Sequence, residues 1–117
     1  MEDLFFEEAG VVSLWAGQVP VTPGSNFLRA GYGVGYCDPD FQDCIVEESI
    51  TPIGEILHKL SYSASFREAA IDAARRFGIS SCRWVMAQYD FAYDPSLPGL
   101  VSLSTEPVFL GRFRWSP

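Results

Sequence analysis

The stretch Arg83-Trp-Val-Met-Ala-Gln-Tyr-Asp-Phe91 decides the fold of this 117-residue chain. Over most of its length, apolar or aromatic side chains would lie on both faces of an extended strand. This pattern is typical of a central strand that is covered on at least one side by helix. We therefore predict that the segment forms an inner strand of a sheet and that the other elements pack around it.

Four other runs have the character of strands. Residues 10–17 are a short apolar run bounded by glycines, which predicts a buried strand. Residues 41–50 mix acidic and apolar side chains, as edge strands do to discourage unwanted pairing. Residues 100–103 and 107–115 complete the set. Alternation along the last run predicts one shared face for four of its residues, Phe109, Gly111, Phe113 and Trp115.

The first of two predicted helices begins at Thr51-Pro52, which offers a hydroxyl at the N-cap and a proline at the first helical position. We predict that this helix extends to about residue 60. Its apolar residues recur at helical spacing, which predicts one buried face. They are Ile53, Ile56, Leu57 and Leu60.

The second predicted helix begins at Ser65. This serine and Glu68, three residues later, have the spacing of a capping box. It should end before Gly78, a favourable residue just past a helix C-terminus. Asp72 and Arg76 are spaced for an ion pair on the exposed side. The buried stripe is predicted to contain Phe66, Ala70, Ala73 and Phe77.

Together these elements predict an α+β fold. We expect a single domain spanning residues 1–117, because a chain of this length has room for one core. The sheet should be mostly antiparallel or mixed, with about five strands, and the pair of helices should pack on one of its faces.

Acidic residues are concentrated in the first half of the chain. Residues 1–50 hold nine acids and one base, a net charge of −8, whereas residues 51–117 have a net charge of +1. A local field of this kind can steer a basic partner towards one surface, although it also suits a solvated face that keeps a small protein soluble. Direct binding to nucleic acid or to an anionic membrane is not expected at a pI near 4.5.

The acidic first residues lack the basic region and the continuous apolar run of a secretory signal. No segment approaches the ~20 apolar residues that span a bilayer. These features predict a cytoplasmic protein.

Residues with the potential for chemistry do not form a recognisable catalytic or metal-binding pattern. The single histidine, His58, falls near a predicted helix end, where the helix dipole favours a cation. Zinc and calcium are not expected, since neither the cysteines nor the aspartates of residues 38–43 have ligand spacing. An odd number of cysteines argues against a disulfide framework. They are Cys37, Cys44 and Cys82. We predict no catalytic residues, no metal and no cofactor, and hence no enzyme.

Several short segments, taken in order, resemble one protein family. They are Ser13-Leu-Trp-Ala-Gly17, Tyr36-Cys-Asp-Pro-Asp-Phe41, Leu60-Ser-Tyr-Ser-Ala-Ser-Phe66, Ala87-Gln-Tyr-Asp-Phe-Ala-Tyr-Asp94 and Phe109-Leu-Gly-Arg-Phe113. Their order and spacing are similar to those of the immunity protein 22 family, antidotes encoded beside secreted bacterial toxins. The resemblance covers about residues 12–115. Residues 18–35 depart from it, because proline and glycine replace an acidic and more helical stretch.

The resemblance implies a protein that binds and neutralises a cognate toxin in the producing cell, without catalysis. Many such toxins act on nucleic acid and have basic clefts, which an acidic antidote can occupy as a phosphate mimic. Close charge pairs in inhibitor interfaces couple by ~1.5–7 kcal/mol, far more than exposed surface pairs. We expect a monomer when the toxin is absent.

Within this hypothesis, the docking patch combines acids with aromatic anchors, the residue type that hot spots favour. It consists of Tyr36, Asp38, Asp40, Phe41, Asp43, Glu47 and Glu48. The alternative is that Phe41 packs in the core and the acids are merely solvated. A second candidate surface contains Tyr89, Asp90, Tyr93 and Asp94 at a strand end, although Asp90 there could instead cap the following turn.

Two other functions remain open from the sequence. One is a self-associating accessory domain that uses its tryptophans, Trp15, Trp84 and Trp115, at a homodimer face. The other is a small hydrolase built from dispersed acids. The lack of a nucleophile–base spacing disfavours the hydrolase.

Overall fold

A four-stranded sheet and two helices make up the regular structure of residues 7–18, 39–94 and 108–117, the parts that the computed structural model describes. Short 3₁₀ turns at Pro39–Phe41 and Ser63–Ser65 connect them. The strands are β1 (Glu7–Gly17), β2 (Gln42–Pro52), β3 (Ser81–Phe91) and β4 (Val108–Arg114). The helices are α1 (Ile53–His58) and α2 (Arg67–Arg76).

The sheet has the order β2-β3-β1-β4, and every neighbouring pair is antiparallel. This confirms the α+β class and the antiparallel sheet. The expectation of about five strands is corrected to four in the described ranges. The fifth predicted run, residues 100–103, lies outside them, as does most of the segment 18–35.

Strand β3 is an inner strand, as predicted, and pairs with β2 on one side and with β1 on the other. Side chains on both of its faces are buried. Val85, Ala87 and Tyr89 belong to the main hydrophobic core. On the opposite face, Met86 and Gln88 are at most 2% exposed.

Both helices pack against one face of the sheet and close the main core. Ile56 and Leu57 of α1 and Ala70 and Ala74 of α2 share one hydrophobic core with side chains of β1 and β3. Burial of each large aliphatic side chain contributes about 1.5–3 kcal/mol. The predicted pairing of the helices on one face is confirmed.

The start of α1 differs from the prediction. Thr51 and Pro52 are the last residues of β2, where they pair with β3, and the helix begins at Ile53. The Thr51 hydroxyl donates to the carbonyl of Ser49 at 3.0 Å and does not cap the helix. Sheet pairing therefore overrides the local N-cap signal.

The predicted capping box of α2 is also wrong. The Ser65 hydroxyl donates to the Tyr62 carbonyl at 2.9 Å and accepts the Ser116 amide at 3.1 Å, so it ties the helix connection to the chain end. The predicted stop at Gly78, with φ of +77°, is confirmed.

Two side chains at the end of α2 lie outside their predicted environments. Phe77 is 58% exposed, because the helix ends at Arg76 and the chain leaves the buried stripe there. Asp72 contacts Arg75, three residues on, at 3.4 Å, in place of Arg76.

A bulge in β4 moves Phe109 away from its predicted face. Leu14 pairs with Gly111, but Trp15 pairs with Phe109, so Leu110 is the extra residue of β4. Gly111 has φ of +141°, a conformation that side chains rarely adopt. Phe109 consequently packs on Trp15, with ring centroids 5.1 Å apart, whereas Phe113 and Trp115 pack against the helix-side core.

Substitution of Gly17 by alanine tests the close contact between β1 and β3. A Cβ at Gly17 would lie 2.0 Å from Cε2 of Trp84, a ring that is 3% exposed and has little room to move. We expect Gly17→Ala to lower the free energy of unfolding by about 3 kcal/mol in urea denaturation, the upper end of overpacking costs.

Gly54→Ala is the matched control, because its Cβ would meet Ile71 at an ordinary 3.4 Å inside α1. We expect this variant to be within about 1 kcal/mol of wild type or more stable, since alanine favours helix. Equal stability of the two variants would contradict the steric argument.

Candidate functional site

A surface cleft with a volume of about 380 Å³ lies where the start of β2, the end of β3, the helix connection and the chain end meet. Its lining is aromatic and acidic. The side chains that form it include Asp40, Phe41, Asp43, Tyr62, Tyr89 and Trp115. We refer to it as the aromatic–acidic cleft.

The elements of the fold bring these residues together from distant points of the chain. The turn Pro39–Phe41 delivers its side chains directly before β2, and Asp43 then pairs in register with Ala87 of β3. Two residues on from Ala87, Tyr89 points to the same helix-side face. Trp115 follows β4 and packs against that face too.

Ser61 is fixed to the sheet through both of its backbone groups. Its amide donates to Oδ2 of Asp43 at 2.8 Å, and its carbonyl accepts a hydrogen bond from the Tyr89 hydroxyl. Two neighbouring strands thus hold the connection between α1 and α2, and this fixes the position of Tyr62, the next residue.

Three aromatic rings form the base of the cleft. The ring centroids of Tyr62 and Trp115 are 5.1 Å apart, and those of Tyr89 and Trp115 are 5.0 Å apart. Tyr62 and Tyr89 meet edge to face at 6.0 Å, a geometry that aromatic quadrupoles favour. Tyr89 is buried, whereas Tyr62 is 51% exposed and presents its ring to solvent.

Two lining residues have left-handed backbone conformations. Tyr62 has φ of 60° and Asp90 has φ of 53°, and they are the non-glycine residues with positive φ in the described ranges. Such a conformation costs of the order of 1 kcal/mol and persists where its surroundings determine it. Hydrogen bonds to its carboxylate hold Asp90 in this conformation. Its Oδ1 accepts from the Gly10 amide at 2.9 Å and from Nε1 of Trp115 at 3.2 Å.

The electrostatic character of the cleft is negative. Asp40, Asp43 and Asp90 contribute three carboxylates, and no basic side chain of the described residues lines it. Burial, with smaller effects from Asp43 and Tyr62, raises the pKa of Tyr89 above its usual range, so its hydroxyl stays a neutral donor. Burial and Asp43 likewise raise the pKa of the Cys44 thiol, which disfavours a reactive thiolate.

A family model described as Immunity protein 22 matches residues 5–116. The chain belongs to the immunity protein 22 family. No curated protein and no solved structure matches it. Membership of this family confirms the resemblance seen in the sequence and indicates toxin neutralisation through binding of a cognate toxin. Immunity proteins are in general non-catalytic.

The structure of this family member separates the predicted docking residues into groups. Asp40, Phe41 and Asp43 meet in the aromatic–acidic cleft, and Phe41 is 47% exposed, so it is not a core residue. Glu47, further along β2, forms an ion pair with Lys59, and Glu48 is exposed. Tyr36 and Asp38 lie outside the described residues.

The second candidate surface is divided between the two faces of the sheet. Tyr89 and Asp90 line the cleft, but Tyr93 is buried on the other face, where it packs on Trp15 and Phe109 at centroid distances of 5.6 and 4.9 Å. The Asp90 carboxylate accepts the Gly10 amide of the neighbouring strand at 2.9 Å. Most of the turn that it was expected to cap lies outside the described residues, so the cap stays a prediction.

The homodimer face suggested by the tryptophans is not available in this immunity protein. Trp15 and Trp84 are 0% and 3% exposed, so they belong to the interior of the chain. Trp115 alone of the three is partly exposed, and it lines the cleft. Sequence reasoning did not connect Trp115 or Tyr62 with the acids, because the link runs through contacts between remote segments.

The opposite edge of the sheet is basic. Arg112 and Arg114 are exposed on β4, and Arg75 and Arg76 of α2 surround a second depression beside Phe113. Acidic β2 and basic β4 therefore occupy opposite edges of the described sheet.

The described ranges contain no group of three or more side chains suited to hold a metal ion. No helix within them is long and apolar enough to cross a membrane.

Truncation of Asp90 is expected to disturb the cleft. Asp90→Ala removes the acceptor for Gly10 and Trp115 and leaves alanine in a left-handed conformation. We expect a loss of about 3 kcal/mol in unfolding free energy.

Asp90→Asn is the control for this change, because asparagine keeps an acceptor oxygen and tolerates positive φ. It should cost less than about 1 kcal/mol. The indole N–H resonance of Trp115 should move in the alanine variant and stay near its wild-type position in the asparagine variant. Identical shifts in both would contradict the assignment.

Tyr89→Phe tests the buried hydroxyl through the pH dependence of stability. Because the folded state raises the pKa of Tyr89, its stabilising contribution is complete below the ordinary pKa of about 10 and is lost as pH rises above it. Wild type should lose up to ~1.4 kcal/mol per pH unit from this group above pH 10, and the phenylalanine variant should not.

At pH 7 the same variant should be about 1 kcal/mol less stable than wild type, since the Ser61 carbonyl loses its donor. Urea unfolding between pH 7 and 11.5 should therefore show the two stabilities meeting within about one unit above pH 10, after which the phenylalanine variant becomes the more stable protein. Parallel curves across this range would contradict a buried, neutral Tyr89.

Proposed function

We propose that this protein binds a cognate secreted bacterial toxin inside the cell that produces it and neutralises the toxin by occlusion, without catalysis. The match of residues 5–116 to immunity protein 22 carries this proposal. Because the match spans nearly the whole chain, residues 1–117 would act as one immunity domain.

The docking surface in this proposal is the acidic side of the molecule around the start of β2. Three features support it: an exposed aromatic side chain at Phe41, the carboxylates of the aromatic–acidic cleft, and exposed Glu48 further along the strand. Interface hot spots combine aromatic anchors with a polar surround in this way. The proposed docking surface also includes three residues chosen from the sequence, Tyr36, Asp38 and Glu47.

A basic toxin cleft, such as one that binds nucleic acid, is the complementary partner. Long-range attraction between such a cleft and an acidic surface raises the association rate, and short charge pairs then slow dissociation. The same acidity disfavours direct binding of this protein to nucleic acid or to anionic membranes. Before it meets the toxin, the protein would be a monomer.

Affinity capture of the tagged protein from its own cells, at low and at moderate salt, tests the function directly. We expect one stoichiometric partner with a basic domain, retained at moderate salt and identified by mass spectrometry. Light scattering of the free protein should give the mass of a single chain. A failure to capture any stoichiometric partner from cells that express the toxin would refute the proposal.

Charge reversal on the proposed surface should weaken toxin binding. Asp40→Lys combined with Glu48→Lys changes two exposed acids of the docking surface. We expect the association rate with the captured toxin to fall at least tenfold at low salt, and the difference to shrink as salt screens the charges. Stopped-flow fluorescence or surface plasmon resonance would measure the rates.

The matched control is Glu68→Lys combined with Asp72→Lys, which reverses two exposed acids on α2 and changes the net charge equally. Its association rate should stay within about threefold of wild type, because a remote charge acts on the encounter only through a screened field. Equal effects of the two double variants would show that total charge, and not this surface, governs binding.

A further inference from the structure

The aromatic–acidic cleft combines a concave shape, aromatic rings and carboxylates, whereas attraction of a basic partner needs only negative charge. It is a concave site of about 380 Å³, near the lower end of the roughly 300–1,000 Å³ range of small-molecule pockets. A space of this size can accept one long side chain. Exposed Tyr62 supplies an aromatic surface, and Trp115 packs beside it at a centroid distance of 5.1 Å.

Carboxylate oxygens stand next to these rings. Asp43 uses Oδ2 to accept the Ser61 amide, and its Oδ1 makes no hydrogen bond with the residues that the structure describes. Asp40, which is exposed, also lines the cleft. A ligand in the cleft therefore meets aromatic faces and negative charge together, which favours a cation with a flat, weakly hydrated head.

Arginine fits this combination better than lysine does. Its planar guanidinium stacks on aromatic rings and binds a carboxylate through two parallel N–H donors. A lysine ammonium is compact and strongly hydrated, so it gains less from the ring faces. An anionic ligand is disfavoured by the three carboxylates, Asp40, Asp43 and Asp90.

We propose that the aromatic–acidic cleft is a socket for the guanidinium of one arginine side chain of the cognate toxin. The proposal rests on the proposed function for the identity of the partner. The guanidinium stacks on the exposed faces of Tyr62 and Trp115 and donates to Oδ1 of Asp43, while Asp40 adds a second carboxylate at the rim.

The structure holds the socket in shape before the ligand arrives. Ser61 is bound to both Asp43 and Tyr89, and Asp90 fixes Nε1 of Trp115. The strained backbone of Tyr62 is therefore maintained in the free protein. A preformed site avoids the ordering cost of binding.

A peptide titration tests the socket without the toxin. The probe is acetyl-Gly-Arg-Gly-amide, added to the ¹⁵N-labelled protein and followed by two-dimensional NMR. We expect saturable shifts of the Trp115 indole N–H and of the Ser61 and Tyr62 amides. The citrulline analogue has the same shape without the charge and should bind at least fivefold more weakly. Equal binding of the two peptides, or no saturable shift at these groups, would overturn the proposal.

Two variants separate the recognition of arginine from folding. Asp43→Asn keeps an acceptor for Ser61 but removes the charge, and Tyr62→Asn removes the ring with a residue that tolerates positive φ. Each should weaken binding of the arginine peptide about tenfold, because Asp43→Asn removes a charge-assisted hydrogen bond and Tyr62→Asn removes a cation–π contact. Asp72→Asn is the matched control and should leave binding unchanged, since Asp72 is exposed on α2.

The same variants, measured against the captured toxin, distinguish this inference from the proposed function. Weaker toxin binding by both Asp43→Asn and Tyr62→Asn, with unchanged binding by Asp72→Asn, would support the socket. A toxin that binds wild type and both cleft variants equally would overturn the socket and leave the antidote function intact. If wild type binds no toxin, the proposed function fails, and with it the assignment of the arginine to a toxin.

Discussion

Burial of β3 on both of its faces is the constraint on which the other elements depend. A strand of this kind must have a hydrogen-bonding neighbour at each edge, because unpaired backbone groups in an interior are costly. β1 and β2 meet this need on either side, and α1 and α2 cover the face that carries Val85 and Ala87. The aromatic–acidic cleft forms where this arrangement ends. Past Gln88, pairing with β2 stops, and Tyr89 and Asp90 reach the surface margin.

Hydrogen bonds between the sheet and the helix connection give this margin a defined shape. Asp43 and Tyr89 belong to adjacent strands and hold one residue, Ser61, by its amide and its carbonyl. Ser61 directly precedes Tyr62 in the connection between the helices. The sheet therefore determines the position of the exposed Tyr62 ring through its hydrogen bonds to Ser61. The shape of the cleft therefore depends on the sheet, although several of its lining residues belong to turns.

Local patterns in the sequence were sufficient for the inner strand, the order of elements, the helix pair and the stop at Gly78, because each depends on neighbours along the chain. They failed where remote contacts compete with a local signal. Ser65 binds the chain end in place of its helix, and pairing with β3 keeps Thr51 in the sheet. The bulge at Gly111 reversed the predicted side of Phe109 for the same reason. Asp40, Phe41 and Asp43 were predicted because they are close in sequence, whereas Trp115 reaches the cleft only through the fold.

The separation of acidic β2 from basic β4 gives the described sheet an electric dipole in its own plane. Three strand spacings separate these edges, about 14 Å. A charged partner exerts a torque on such a dipole as well as an attraction. In the proposed encounter with a basic toxin, this torque would turn β2 towards the toxin. The arginines of β4 and α2 would then help to orient the protein from its far side.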